Sequence, residues 1–386
     1  MKKKILFVIP NMRVGGAEKS LLTLLSLFDY DKYDVDLFLF RKDGLFFSQI
    51  PKQVNIIGDT ENYEMFDGEA EKAAKYFIKK FKIISATERY IYSKQTDEKS
   101  KWKYLKKQLP KISKEYDCAI AYLEGNSGEF VANNINAKKK ICYIHNDIEK
   151  LNLPDDVNEK IFEKSNWIVT VSNECKESLE RKYGKYSSKF VVIENIISPF
   201  ILKKSAEEFV AFDDDESVKI VTVARCSPQK NLQLAVSACK ILVDNGFDIK
   251  WYQLGSGEKE EELRRQIKAL KLEQNFIMLG DKPNPYPYIS QSDIYVQTSL
   301  FEGKSISVEE AKCLCKPVVV TNFSTVKDQI EDGVTGMICE MSAADVAQKL
   351  QLLIEDKSVS EKLIRNLKKI QSGNESEIEN LYKLIK

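Results

Sequence analysis

The chain has 386 residues, 43% hydrophobic and 30% charged, which is long enough and apolar enough for two globular domains. Fifty-nine lysines and arginines balance fifty-eight acids to a net charge of +1, so no overall basicity marks a nucleic-acid-binding protein. One histidine, and eight cysteines of which only Cys313 and Cys315 lie close together, offer no zinc spacing; the thiols read as buried and free in a reducing compartment.

Lys2-Lys-Lys4 followed by a short apolar stretch superficially resembles a signal peptide, but Arg13 and Glu18 follow too soon. No apolar run reaches eighteen residues, so a cytoplasmic chain with no membrane span is expected. Ile5 to Ile9 reads as a buried parallel strand, then the Gly15-Gly16 turn, then a leucine-rich helix from about Ala17 to Phe28. Strand, glycine turn and helix form the opening unit of a doubly wound sheet, and paired glycines admit a ligand close to the backbone. Val35 to Phe40 is a second strand, and Gly44 to Asp67 reads as irregular.

Lys72 to Lys114 holds fourteen basic residues against Glu88, Asp97 and Glu98, an excess of +11, with Tyr76, Phe77, Phe81, Tyr90, Tyr92, Trp102 and Tyr104 interleaved. Such a segment suits an anionic membrane surface, and the plain alternative is a solvated helical face. Nucleic acid fits least, given the neutral whole-chain balance. Further strands are expected at Cys118–Leu123, Ile141–Ile144 and Trp167–Val171. His145 stands just past a strand end, where open α/β sheets bind ligands. Ser172 is expected to cap a helix reaching about Tyr183.

Residues 196–217 read as a linker that contains Pro199 and the acidic run Asp213 to Glu216. A metal-binding Asp-x-Asp reading of that run is disfavoured, because it precedes a strand rather than ending one. A second α/β series follows. Val218 to Ala224 is a strand, Arg225 to Lys230 a loop, and Asn231 the expected cap of a helix to Asn245. Arg225 and Lys230 would place two cations at one sheet edge, as a diphosphate requires. Strands follow at Ile249–Leu254 and Phe276–Leu279, the latter ending in Gly280, and then a proline-rich loop. Strand Ile294–Gln297 runs into Thr298-Ser-Leu-Phe-Glu302-Gly303 and a helix from about Ser305. Glu302 lies at the turn and Glu310 two helical turns later, pointing back toward the helix start. The backbone N–H groups of Ser305, Ile306 and Ser307 would face the same space and form an anion cradle with a carboxylate on either side. Helices are expected over about 343–367 and 375–386.

The chain thus alternates strand and helix twice around a central polar break, which predicts α/β class with two doubly wound, Rossmann-like domains facing across a cleft. The expected boundaries are 1–195, a linker at 196–217, 218–367, and a C-terminal helix at 368–386 that packs back on the first domain.

Five segments in order carry a resemblance: Gly15-Gly16-Ala-Glu18, Val223-Ala-Arg225 to Lys230-Asn231, Leu254-Gly-Ser-Gly257, Ser299-Leu-Phe-Glu302-Gly303 to Glu310-Ala311, and Asp332-Gly-Val-Thr-Gly336. Together they resemble the retaining glycosyltransferases of family four, of the bacterial polysaccharide-biosynthesis kind, with the GT-B architecture. The resemblance implies transfer of a sugar from a nucleotide-sugar donor, a UDP-sugar by family frequency, to a glycan or lipid-linked acceptor, with no metal and no cofactor. Carried over by position, Arg225 and Lys230 would bind the donor diphosphate and stabilise the leaving group, and Glu302 would contact the donor sugar. Glu310 would hold the ribose, and the Ser305–Ser307 amides the phosphates. His145 would lie near the donor sugar and acceptor; Gly15, Gly16, Gly280, Lys282, Gly303 and Ile306 would complete the donor site. Lys304-Ser305 departs from a frequent Phe-Gly, and Ala224 from a frequent Gly. Other activities compatible with the fold are a sugar-nucleotide epimerase, a phosphorylase, or a sugar-binding relative without catalysis.

Overall fold

The computed structural model describes residues 2–13, 15–151, 153–213, 215–370 and 373–386. The first seven strands, β1 (Lys3–Ile9), β2 (Tyr33–Leu39), β3 (Asn55–Ile57), β4 (Tyr116–Ala121), β5 (Ala137–Ile144), β6 (Trp167–Thr170) and β7 (Phe190–Val192), form one parallel sheet in the order β3-β2-β1-β4-β5-β6-β7. A second parallel sheet comprises β8 (Val218–Val223), β9 (Ile249–Leu254), β10 (Phe276–Gly280), β11 (Ile294–Gln297), β12 (Val318–Thr321) and β13 (Met337–Cys339), ordered β10-β9-β8-β11-β12-β13. Both orders reverse next to the first strand, which opens a crevice at the carboxyl edge.

The helices of the first half are α1 (Gly16–Ser26), α2 (Glu61–Asp67), α3 (Ala70–Lys79), α4 (Ile83–Tyr92), α5 (Glu98–Leu105), α6 (Asn126–Asn134), α7 (Asp155–Lys164) and α8 (Asn173–Tyr183). Then come α9 (Pro199–Ala206), α10 (Leu232–Asp244), α11 (Glu260–Ala269), α12 (Tyr286–Gln291), α13 (Ile306–Cys313), α14 (Ala343–Glu355), α15 (Lys357–Lys369) and α16 (Glu377–Ile385). The strands are apolar throughout because both sheet faces are covered. Leu6 and Val8 of β1 join a core with Phe66, Phe77 and Trp102, while Ile5, Phe7 and Ile9 face α1 and α16. The last helix returns to the first domain: Ile378, Leu381 and Ile385 are buried there, and Tyr382 stacks on Tyr33 at 5.1 Å.

Several local expectations are corrected. Residues 44–67, read as irregular, contain the edge strand β3 and helix α2. Arg41 at the end of β2 fixes the end of α2 through Asp67 at 2.9 Å. The segment 196–217 contains α9, opened by Pro199 at its first turn; Leu202 packs with Ile197 and Cys313. The long helix expected to 367 breaks at Asp356, whose carboxylate accepts from the Ser358 amide at 3.0 Å and starts α15. Asn231 does not cap α10 with its side chain. The preceding turn Pro228–Lys230 leaves it left-handed (φ 47°), outside the extended conformation that side-chain capping needs. Ser172, in contrast, caps α8 through the Cys175 amide at 3.2 Å.

The acidic run before β8 lies at the edge of the sheet away from the crevice. Asp215 is bound by Lys219 and by Lys250 at 2.5 Å, which holds its carboxyl below the usual range and ties β8 to β9; Asp214 lies outside the described residues. The aromatics of 72–114 divide between inside and outside: Phe77, Tyr92 and Trp102 are buried, while Phe81, Tyr90 and most of the lysines stay outside. Among the described residues no helix is long and apolar enough to cross a membrane, and the eight cysteines are free thiols.

Candidate active site

Glu302 follows β11 and is buried in the turn before α13. Its Oε1 accepts three hydrogen bonds, from Lys230 Nζ at 2.5 Å, Ser299 Oγ at 2.5 Å and Gln297 Nε2 at 3.1 Å. These donors hold the carboxylate in place, and among the described residues no hydrogen bond reaches Oε2. Lys230 stands on the loop after β8 and reaches its partner across 72 residues of sequence. Arg225, on the same loop, is exposed and makes no hydrogen bond or ion pair among the described residues.

Glu310 is buried on α13 and is served from both domains. Lys19 of α1 crosses the cleft to Oε2 at 2.7 Å, and the Tyr286 hydroxyl donates to Oε1 at 2.9 Å. The Lys19 ammonium also lies 4.3 Å from the Tyr286 ring centre. Burial, reinforced by Glu310, drives the Tyr286 phenol far above its ordinary pKa, so it remains a donor. Neither Lys19, 291 residues from Glu310, nor Tyr286 is in the sequence-derived set. Lys19 had one available signal, its place next to Glu18 at the start of α1, just past the glycine turn.

His145 follows the strand β5 and is buried against Tyr122 and Tyr143, with ring centres at 5.2 and 5.6 Å. Burial lowers its pKa against the opposing charge of Glu124, which keeps the imidazole neutral; its Nε2 is buried without a partner among the described residues. Glu124 holds this corner, accepting from the His145 amide and from Asn146 Nδ2, each at 2.9 Å. Gly303 packs directly on it. A Cβ at Gly303 would stand 2.0 Å from the His145 carbonyl oxygen, so only glycine allows the two domains to meet here. Ser172 Oγ donates to the Gly303 carbonyl at 3.1 Å, a second cross-domain bond.

The anion cradle is smaller than expected. The Ser305 amide donates to Gln329 Oε1 at 2.8 Å, and Gln329 Nε2 returns a bond to the Ser305 carbonyl at 2.9 Å. Gln329 therefore occupies that amide, leaving the first turn of α13 from Ile306 and Ser307. Ile306 also approaches Gly16 across the cleft, 3.6 Å from where a Cβ would stand. Gly15 lies under the Glu18 carboxylate, which folds back over the loop. Burial pushes the Glu18 carboxyl up to about 7, opposed by its own backbone amide and by Arg225. Gly280 ends β10 with open space on its Cβ side and φ 69°, and its carbonyl accepts from the Gly255 amide at 2.8 Å. Lys282 stands two residues beyond, half-buried.

Across this cleft the C-terminal side supplies two buried carboxylates, two cations and a helix start, and the N-terminal side closes on them with Gly16, Lys19 and His145. Residues 203–370 match the family described as Glycosyl transferases group 1. This segment is similar to the group 1 glycosyl transferases. The matched segment contains Arg225, Lys230, Gly280, Lys282, Glu302, Gly303, Ser305, Ile306, Ser307 and Glu310. Among curated proteins, the chain is 26% identical over 243 residues to the N-acetylgalactosamine-N,N'-diacetylbacillosaminyl-diphospho-undecaprenol 4-alpha-N-acetylgalactosaminyltransferase of Campylobacter jejuni, covering 62% of this chain and 64% of that protein. It is 28% identical to the poly(glycerol-phosphate) alpha-glucosyltransferase of Bacillus subtilis over 43% of this chain and 25% of that one. The chain thus spans under two thirds of the length of either relative. Among solved structures, Anabaena HepE in complex with UDP and glucose superposes with TM-score 0.72 at 17% identity, covering 99% of this chain and 98% of that one. A likeness of this kind shows that the two sheets and their helices form the GT-B fold.

Proposed function

We propose that this protein is a retaining glycosyltransferase that moves a sugar from a UDP-sugar to a lipid-linked glycan acceptor in cell-surface polysaccharide synthesis. The observation that carries the proposal is the pair of buried carboxylates flanking the start of α13, with Lys230 and Arg225 on the facing loop. Support for the donor comes from the HepE complex with UDP, and support for the acceptor from the Campylobacter relative, whose name specifies a diphospho-undecaprenol substrate.

In this reading the nucleotide's ribose hydroxyls donate hydrogen bonds to Glu310, and its diphosphate lies between the first turn of α13 and the two cations. As the glycosidic bond breaks, negative charge grows on the departing diphosphate. Lys230 and Arg225 neutralise it with their positive charges, so the reaction needs no metal. Lys230 reaches the phosphate by leaving Glu302, whose freed carboxylate then faces the positive charge growing on the sugar. His145, neutral, orients the sugar without competing for protons. The acceptor enters from the N-terminal side, where the protein sits peripherally on the cytoplasmic membrane face.

A thermal-shift series with UDP, GDP, CDP and ADP, with and without EDTA, tests the donor. UDP at a hundredfold excess over its Kd should stabilise the protein by about 2.7 kcal/mol in either condition. A shift with GDP or ADP alone, or one abolished by EDTA, overturns the assignment.

A further inference from the structure

Helices α3 and α4 pack against each other across a short turn, and the turn end of the pair is apolar. Phe81, in the connecting turn, is 91% exposed, and Ile84 is 78% exposed; Ile78 and Ile83 beside them are also mostly exposed. The chain holds Phe81 left-handed, at φ 56°, a backbone conformation that bulky residues seldom adopt. Its ring is thereby presented outward at the tip while Phe77, one helical turn back, fills the core. The stripe continues along α4 through Tyr90, which shares a face with Ile83 at helical spacing. A patch of this kind on an otherwise charged surface marks an interaction site.

The charge around it selects the partner. Lys79, Lys80 and Lys82 surround Phe81 in sequence, and all three are exposed. Lys80 pairs with Glu61 at 2.9 Å and Lys82 donates to Asn62 Oδ1 at 2.9 Å; Lys79 makes no ion pair among the described residues. Residues 70–94 hold seven basic side chains against two acidic ones. Apolar tip and lysine collar together match a bilayer surface, with hydrocarbon for the ring and the isoleucines and anionic headgroups for the ammonium groups.

We propose that the α3–α4 turn is a membrane wedge, with Phe81 and Ile84 entering the interfacial layer of an anionic bilayer. The wedge is wired to the candidate active site. The Tyr92 hydroxyl donates to Asp67 at 2.5 Å, Arg41 bridges Asp67 and Asp43, and Arg13, on the glycine loop, donates to Asp43 at 2.7 Å. An inserted wedge therefore holds the acceptor side of the cleft at the membrane surface. This inference rests on the proposed lipid-linked acceptor for its purpose but not for its test.

The experiment is co-sedimentation with phosphatidylcholine vesicles, with and without about 30% phosphatidylglycerol, alongside UDP binding in solution. Wild type should bind the anionic vesicles only, and lose binding as salt rises. Phe81→Ser with Ile84→Ser should weaken vesicle binding at least tenfold while UDP affinity stays unchanged. Phe81→Trp should bind like wild type, and the fluorescence of its new indole should be quenched by brominated acyl chains. No vesicle binding by wild type, equal binding by the double serine variant, or an unquenched indole in the Phe81→Trp variant each overturns the wedge. So does a concentration-dependent dimer that the serine variant abolishes, which would assign the patch to a second copy. Failure of UDP binding with intact vesicle binding would instead strike the functional proposal alone.

Discussion

Lys19→Met offers the most direct test of how this cleft works. Lys19 spans the domains to Glu310 at 2.7 Å, with the two side chains only 15% and 3% exposed. At an effective dielectric of about 20, charges that close attract by about 6 kcal/mol, most of it offset by the water both groups lose. Removing one member of such a pair costs about 3–5 kcal/mol, because the other is left buried and unpaired. That cost falls on the protein before nucleotide binds, and opening and wetting Glu310 would shed part of it. A nucleotide whose ribose replaces Lys19 at Glu310 has to displace the ammonium in the wild type but not in the variant. A net gain of about 1.4 kcal/mol, or tenfold tighter nucleotide binding, is therefore expected. Isothermal titration with UDP measures it, with the thermal midpoint recorded to confirm folding. Unchanged or weaker binding would show that Lys19 is part of the nucleotide's own site rather than its competitor.

The two glutamates should separate binding from turnover. On the proposed donor site, Glu310→Ala would remove charged hydrogen bonds to the ribose in ground and transition states alike, and should weaken UDP binding by about 3 kcal/mol, roughly 150-fold. Glu302→Gln should bind UDP nearly as wild type but lower kcat at least tenfold, and the reverse pattern would exchange their roles. Glu18 should leave a signature in the pH dependence of stability. Its carboxyl titrates near 7 in the folded protein against about 4.3 in an unfolded chain, so the folded state keeps the proton longer. Stability should fall as pH rises between those values, by about 2 kcal/mol after allowing for partial solvation, and level off above. Urea unfolding at about pH 5 and pH 8 should show this loss in the wild type but not in Glu18→Gln, and equal losses in the two proteins would refute it.

What could be read from the sequence depended on how local each feature is. Glu302, Gly303 and Glu310 lie within nine consecutive residues, and the strand, turn and helix that present them are fixed by that stretch alone. Arg225 and Lys230 were legible for the same reason, as charges just past the end of a strand. Lys19, Glu124, Tyr286 and Gln329 were not, because each meets its partner only when separate elements pack. Gln329 shows the cost of this: the Ser305 amide looks free along α13 and is claimed by a residue 24 positions later. In the basic segment, spacing told that aromatics and lysines alternate but not which aromatics face inward. Phe77 and Phe81 differ by one helical turn in sequence, and only the break between α3 and α4 sends one into the core and the other into solvent. Asn231 misled because its capping chemistry presumes an extended backbone, which the turn before it does not allow.

The return of α16 to the first domain has a consequence for how the molecule is made. Tyr382 accepts a hydrogen bond from the Asp29 amide at 2.7 Å and fills the space between Phe28 and Tyr33, so the first domain's outer face stays open until the last helix arrives. A ribosome adding about 5–20 residues per second needs on the order of 10–40 s to travel from the end of β7 to α16. Through that interval the entire second domain is synthesised and can fold, while Leu21, Leu25 and Phe28 lack the helix that covers them. The domain begun first is thus the one sealed last, and the nascent chain carries an apolar groove whose eventual occupant is its own C-terminal segment.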